Sequence, residues 1–177
     1  MTHRPVHLPH ITIPVFDGTP TNYNNFIQLF RSLIDNNQAL SNIDKFNYLS
    51  GLLIGDAKET IRHFLLSEEN YKLALETLAE RFGSTIAIVS SLIRELHTSQ
   101  PNQNSLASIK SYVLKIEQIR LQLIQLKKPV VDEEISFILS TKLPKWLQNR
   151  LVERSRMNPE WTLDSTIEYV LLVRSHN

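Results

Sequence analysis

SNIDKFNYLSGLLIGDAKETIRHFLLSEENYKLALETLAERFGS, from Ser41 to Ser84, decides the fold class. It reads as three short amphipathic helices joined by tight turns. Ser41 is a natural N-cap, with Asp44 three residues on to face the helix N-terminus. Ile43, Phe46, Leu49 and Leu53 recur at helical spacing. Gly55 breaks that helix and Asp56 can cap the next, whose buried side is Ala57, Ile61 and Phe64 or Leu65. Ser67 opens a third helix, in which Tyr71, Ala74, Leu75, Leu78 and Phe82 form one stripe. Gly83 stands where a left-handed C-cap is expected. The stretch is a small helical core with no loop suited to catalysis.

The flanking sequence extends the same pattern. Residues 1–20 carry Pro5, Pro9, Pro14 and Pro20, which forbid a helix, so this segment is expected to be an extended arm with Val15 and Phe16 tucked into the core. Thr21 or Asn22 caps a first helix with Tyr23, Phe26, Ile27, Phe30, Leu33 and Ile34 on its apolar face, ended by Asn36 and Asn37. Ile86, Val89, Leu92 or Ile93, and Leu96 predict a fifth helix that stops near His97. TSQPNQN, Thr98 to Asn104, is the one internal polar, Pro-containing stretch and is taken as the domain boundary. The expected division is an arm at 1–20, a helical lobe at 21–98, a linker at 99–104 and a second helical lobe at 105–177.

Beyond the linker, Ser105 caps a long helix to about Lys127 with Ile109, Tyr112, Val113, Ile116, Ile119, Leu123 and Leu126 on one stripe. Leu114, Leu121 and Ile124 fall outside it, an apolar surplus that means burial on two sides or a patch awaiting a partner. Lys127-Lys128-Pro129 stops this helix. A short helix follows from Asp132 to about Leu139, another starts at Pro144, and Thr162 caps the last. The fold class is all-α.

Composition removes several classes of function. The chain has no Cys, so disulfides, thiolate metal sites and Cys nucleophiles are excluded. No apolar run reaches the length of a membrane span, and the N-terminus is no signal peptide, so a cytoplasmic protein without membrane contact is expected. Net charge is +1; residues 1–98 hold 8 basic against 10 acidic side chains (net −2) and residues 99–177 hold 11 against 8 (net +3). A strong non-specific RNA binder needs a much larger basic excess.

Candidate sites are few. His3, His7 and His10 sit in a Pro-rich arm that offers no preorganised metal geometry. Asp17-Gly18-Thr19 has the wrong order for an aspartic protease motif and reads as a turn. His97 reads as a helix-end histidine facing the dipole rather than a ligand or switch. Glu133 and Glu134 are adjacent on a helix, point apart, and suit a solvated helix start rather than acid–base work. Lys142, Lys145, Arg150, Arg154 and Arg156 make the one basic cluster. It is a candidate for weak RNA or phosphate contact, weighed against a solvated face with Arg150 stacked on Trp146. No Gly-rich phosphate loop, His-Glu-x-x-His or Ser elbow is present, so the chain is expected to be no enzyme and to need no cofactor, metal or small-molecule substrate.

KFNYLSGLLIGDA (Lys45 to Ala57) and ENYKLALETLAERFG (Glu69 to Gly83) together resemble the Gag polyprotein of Bel/Pao-type LTR retrotransposons. IPVFDGTPTNYNNFIQLFRSLIDNN (Ile13 to Asn37) is similar to the entry segment of that family, with Tyr23 where such sequences often carry Trp. TKLP (Thr141 to Pro144) is similar to its late K-L-P element. The resemblance runs in order through residues 8–147. It implies two lobes like the N- and C-terminal domains of retroviral capsids, self-assembly into a shell packaging RNA, and a two-fold contact in the C-terminal lobe. Val131, Ile135 and Ile138 are the candidate dimer interface. The alternative is a domesticated, Gag-like helical adaptor that binds a protein or peptide partner.

Overall fold

The computed structural model describes residues 12–174. Among them the chain is helical: α1 Pro20–Phe30, α2 Asn42–Leu52, α3 Gly55–Ile61, α4 Glu68–Phe82, α5 Thr85–Thr98, α6 Leu106–Gln125, α7 Asp132–Lys142, α8 Lys145–Met157 and α9 Leu163–Leu172. A π-helical turn, Arg31–Asp35, continues α1. The only pairing of strand type among the described residues is an isolated bridge between Phe16 and Leu53. No helix among them is long and apolar enough to cross a membrane. The chain divides into two compact units, Met1–Ile88 and Val89–Asn177.

The first unit is built where the arm enters it. The Phe16 N–H donates to the Leu52 carbonyl at 2.8 Å, and the Ile54 N–H donates to the Phe16 carbonyl at 2.9 Å. Those bonds lock the arm to the break between α2 and α3 and drive the Phe16 ring inward. The ring stacks on Phe26 at 5.1 Å and meets Phe82 and Tyr23 edge-on at 5.4 and 5.7 Å. Each such aromatic pair is worth about 0.5–1.5 kcal/mol beyond the area it buries. Val15 points the other way and is exposed, because neighbours in an extended segment face opposite sides. The expected pairing of Val15 with Phe16 in the core is therefore corrected.

Asp17 turns the chain out again. Its carboxylate accepts from the Thr19 N–H at 2.8 Å, which also holds the Asp17 carboxyl below its usual range. This is a turn with a local bond, as expected for Asp17-Gly18-Thr19. Gly18 has φ +101°, and a Cβ there would lie 2.9 Å from Asp56 Cβ and 3.1 Å from the Phe82 ring. Pro20 takes the first helical position and Thr19 becomes the N-cap of α1, so neither Thr21 nor Asn22 caps it.

Capping follows the sequence in α2 and α4. Ser41 and Asp44 form a reciprocal capping box, and Ser67 accepts from the Asn70 N–H. Asp56 lies in the first turn of α3 and does not cap it; Ile54 holds that position. Phe46, Leu49 and Leu53 are buried as expected, whereas Ile43, Leu65 and Ile86 are exposed. Tyr71 of α4 donates to Asp35 Oδ1 at 2.6 Å, and Lys45 of α2 donates to the Asp35 carbonyl at 2.6 Å. Burial first, then the Asp35 carboxylate, holds the Tyr71 phenol well above its ordinary value. These two bonds fix the π-helical end of α1 against α2 and α4.

The second unit holds the rest of α5 and α6–α9. Ile109, Tyr112, Val113, Ile116, Ile119 and Leu123 of α6 are buried. Leu92 and Leu96 of α5, Ile135, Ile138 and Leu139 of α7, Leu147 of α8, and Leu163, Ile167 and Val170 of α9 are buried as well. Arg120 ties three elements together. It is 13% exposed, binds Glu117 at 2.8 Å, and reaches Asp132 at 3.2 Å and Asp164 at 2.6 Å. Those two aspartates stand in the first turns of α7 and α9, where the helix dipole also favours an anion.

The units meet at Ile88–Val89, inside α5, whereas the polar stretch 99–104 lies in the second unit. Composition marked the stretch as a linker; its side chains and carbonyls are instead held locally. Lys115 pairs with Glu95 at 2.6 Å, and His97 meets Glu134 at 3.4 Å. The last part of α5 is thereby bound to α6 and α7.

Two helix ends show opposite glycine chemistry. Gly83 has φ −94°, so it is not the left-handed cap that its position predicts. It is required by space: a Cβ would fall 2.4 Å from Tyr23 Cε1. Lys127 ends α6 at φ +55°. Its N–H donates to the Ile124 carbonyl at 3.0 Å, and the Lys128 N–H donates to Leu123 at 2.9 Å, the bonds of a Schellman cap. Gly83→Ala is expected to destabilise the first unit by about 1–3 kcal/mol through overpacking. Lys127→Gly is expected to stabilise the second by roughly 0.5–1 kcal/mol through relief of left-handed strain. Urea titrations separate the two, since both tryptophans, Trp146 and Trp161, lie in the second unit. Far-UV dichroism reports both units, and the first is read from the part of its transition that tryptophan fluorescence does not follow. Neutral behaviour of Gly83→Ala would show that Tyr23 yields freely.

Candidate interaction surfaces

Ile135 is 0% exposed and Ile138 5%, so both belong to the core of the second unit. Only Val131, 63% exposed, is open to a partner. The sequence places Ile135 and Ile138 on one face of α7, and that face is the inner one. A contact through Val131, Ile135 and Ile138 would require opening the unit, and this candidate interface is corrected on that ground. The exposed apolar residue of α7 is Phe137. Sequence periodicity separates 135 and 138 from 137 but does not say which side faces in.

The long helix behaves as its pattern predicts. Leu114, Leu121 and Ile124, the residues outside the buried stripe, are 46–49% exposed. They recur at i, i+7 and i+10, which places them along one side of α6. Tyr112 on the opposite side buries its hydroxyl without a hydrogen-bond partner, and burial pushes its phenol up to about 12.

The basic cluster separates into parts with different tasks. Lys142 is committed to structure: its ammonium donates to the carbonyls of His97 and Ser99, the latter at 3.0 Å. It thus caps the C-terminal end of α5, where the dipole favours a cation, and desolvation lowers its pKa. Lys142 is therefore withdrawn as an RNA contact. Gln103 Nε2 donates to the Lys142 carbonyl at 3.3 Å, so the polar stretch and the end of α7 hold each other. His97 accordingly shares its helix end with Lys142 and pairs with Glu134, in place of a ligand role. Glu133 and Glu134 are exposed in the first turn of α7.

Lys145, Arg150, Arg154 and Arg156 lie on α8. Arg150 sits over the Trp146 ring at 5.4 Å, the stacking its i, i+4 spacing suggests. Arg154 sits over the Tyr169 ring of α9 at 5.5 Å. With Arg174 they line a concavity of about 370 Å³. Sequence reasoning missed Arg174 and Tyr169. They stand far from α8 along the chain, and only the antiparallel return of α9 brings them beside Arg154. His3, His7 and His10 lie outside the described residues.

Lys142→Ala is expected to cost roughly 1–3 kcal/mol, since it leaves carbonyls at a helix end unpaired. It should also speed proteolytic cleavage within 99–104 severalfold, read by gel and mass spectrometry. Unchanged cleavage would show that Lys142 does not hold the stretch.

The comparisons with known proteins come to one family. No curated protein and no solved structure matches the chain. Residues 16–160 match the family described as a protein of unknown function, DUF1759. The match begins at Phe16, which locks the first unit, and runs into the second unit, stopping before α9. The chain therefore belongs to the DUF1759 family, a domain found in retrotransposon Gag and polyprotein sequences.

Proposed function

We propose that the chain is the capsid region of a Gag polyprotein of Bel/Pao type, which self-assembles into a shell around RNA in the cytoplasm. Family membership supports the Gag setting, and the motif resemblance supports Bel/Pao. The observation that carries assembly is the outer side of α6. Leu114, Leu121 and Ile124 stay half exposed although the unit beneath them already has a closed core. An apolar side that the unit's own fold leaves uncovered is suited to contact between copies. Such a contact is small, so each copy binds its neighbour weakly and a lattice gains its stability from repetition. No catalytic group, cofactor or small-molecule substrate has a part in this mechanism.

Concentration-dependent light scattering at raised salt, with negative-stain microscopy, tests this. Growth into large particles is expected for the unaltered chain. Leu121→Asp is expected to abolish the particles while leaving far-UV dichroism unchanged, since the side chain contributes little to the core. A fixed monomer mass at all concentrations would overturn the capsid reading and favour a helical adaptor with a peptide partner.

A further inference from the structure

On α8, Trp146, Arg150 and Arg154 recur at i, i+4 and i+8 and so share one side of the helix. Arg150 covers Trp146, Arg154 covers Tyr169, and Tyr169 meets Trp161 edge-on at 6.1 Å. Guanidinium groups and aromatic rings thus lie side by side along the surface where α8 and α9 adjoin. Arg150 lines two concavities. One, of about 370 Å³, is shared with Arg154, Arg174 and Tyr169, and Glu153 is its single acid. The other, of about 560 Å³, lies toward Trp146, Pro144 and Leu106. Among the described residues, none of the three arginines forms a salt bridge.

Three guanidinium groups beside one carboxylate select an anion. The rings beside them select something more than an anion, because a carboxylate-rich peptide or free phosphate leaves the stacked ring and guanidinium planes unused. Single-stranded nucleic acid presents both groups in alternation: a phosphate, then a flat base with a π-face. A duplex hides those faces in its own stack. We propose that this surface binds single-stranded RNA, with Arg150 holding a phosphate between two bases seated in the two concavities. The inference rests on the capsid reading for the source of the RNA, but the contact is a property of one chain. Three phosphate contacts give weak binding, with a Kd of roughly 0.1 mM at physiological salt. Weak binding is sufficient where many assembled copies share one strand, since linked contacts multiply.

The test uses the full chain and a fluorescein-labelled oligouridylate of about a dozen nucleotides, followed by anisotropy from about 50 to 200 mM salt. The expected slope of log K against log salt is about −2, from roughly −0.7 for each of three phosphates. Arg150→Gln, Arg154→Gln and Arg174→Gln should each flatten the slope by about 0.7, and the triple variant should abolish binding. Trp146→Ala should weaken binding about fivefold or more with little change in slope, since stacking carries no charge. Lys58→Gln, which removes a cation from the first unit, should change nothing. Trp161 fluorescence checks that each variant is folded.

Three results overturn the proposal: no binding at low salt, binding that survives the triple variant, or equal binding of a duplex of the same length. Competition by inorganic tripolyphosphate at the same phosphate concentration as the oligomer would also overturn it, by showing a site for compact phosphates alone. Particle formation is read separately. Loss of assembly with intact oligouridylate binding rejects the capsid reading only, and assembly without binding rejects only the RNA contact.

Discussion

The first unit depends on one side chain being pulled in from an extended arm. Phe16 cannot reach the core by helix packing, since the prolines before it exclude a helix. Two backbone hydrogen bonds to the break between α2 and α3 place it there. Once seated, its ring touches Tyr23 and Phe26 of α1 and Phe82 of α4, so a single residue joins segments far apart in sequence. The backbone on either side must then pass through very little space. Gly18 lies against Asp56 and Phe82, and Gly83 lies against Tyr23. The strings that carry the family resemblance meet at this junction. Phe16 and Gly18 come from the entry segment, Ala57 from the second string, and Phe82 and Gly83 from the third. Lys45 and Tyr71, from those same strings, converge on Asp35. These motif residues are explained by packing and hydrogen bonding in the first unit.

The second unit is organised by charge where the first is organised by rings. Arg120 is mostly buried, and a guanidinium there is tolerated only because three carboxylates surround it. Its planar fork meets Glu117 with two donors while a third reaches Asp132 and Nη2 also meets Asp164. Lysine could supply the charge but not that geometry. At another point of the same unit, Lys142 closes the end of α5 against α7. Both cations hold helix ends, so in this unit basic side chains divide into those used by the fold and those left open at the surface.

Much of the fold was legible because helix signals are local. The stripes of α4 and α6 and the caps Ser41, Ser67, Ser105 and Thr162 are fixed by spacing within a few residues. The misread positions share a different cause. Gly83 is small because of Tyr23, sixty positions away, and a lone glycine after a helix cannot distinguish lack of space from left-handed backbone. Val15 and Phe16 differ only in which way an extended segment faces. Ile135 and Ile138 form a correct helical face whose direction depends on its neighbours. Composition picked out 99–104 because it is polar, but polarity does not reveal that Lys142 and Gln103 fasten it. The basic cluster was legible as charge, not as a candidate site, because its aromatic partner Tyr169 arrives on another helix and its third arginine just past the end of that helix.

A net charge of +1 weighs against RNA only if charge acts over the whole chain, and it does not. Asp164 stands in the first turn of α9 and Arg174 lies just past its end, ten residues on. At about 1.5 Å per residue that is roughly 15 Å along the helix. The screening length at physiological salt is about 8 Å, so the Asp164 carboxylate is largely screened from Arg174. Helix direction imposes this separation along α9, since an anion suits its N-terminal end and a cation its C-terminal end. Nor do the ring contacts remove the guanidinium charge: a cation over an aromatic face keeps its donors at the edges free for a phosphate. A near-neutral chain can therefore carry a local anion-binding face, and the same near-neutrality would limit the repulsion between neighbouring copies in the proposed lattice.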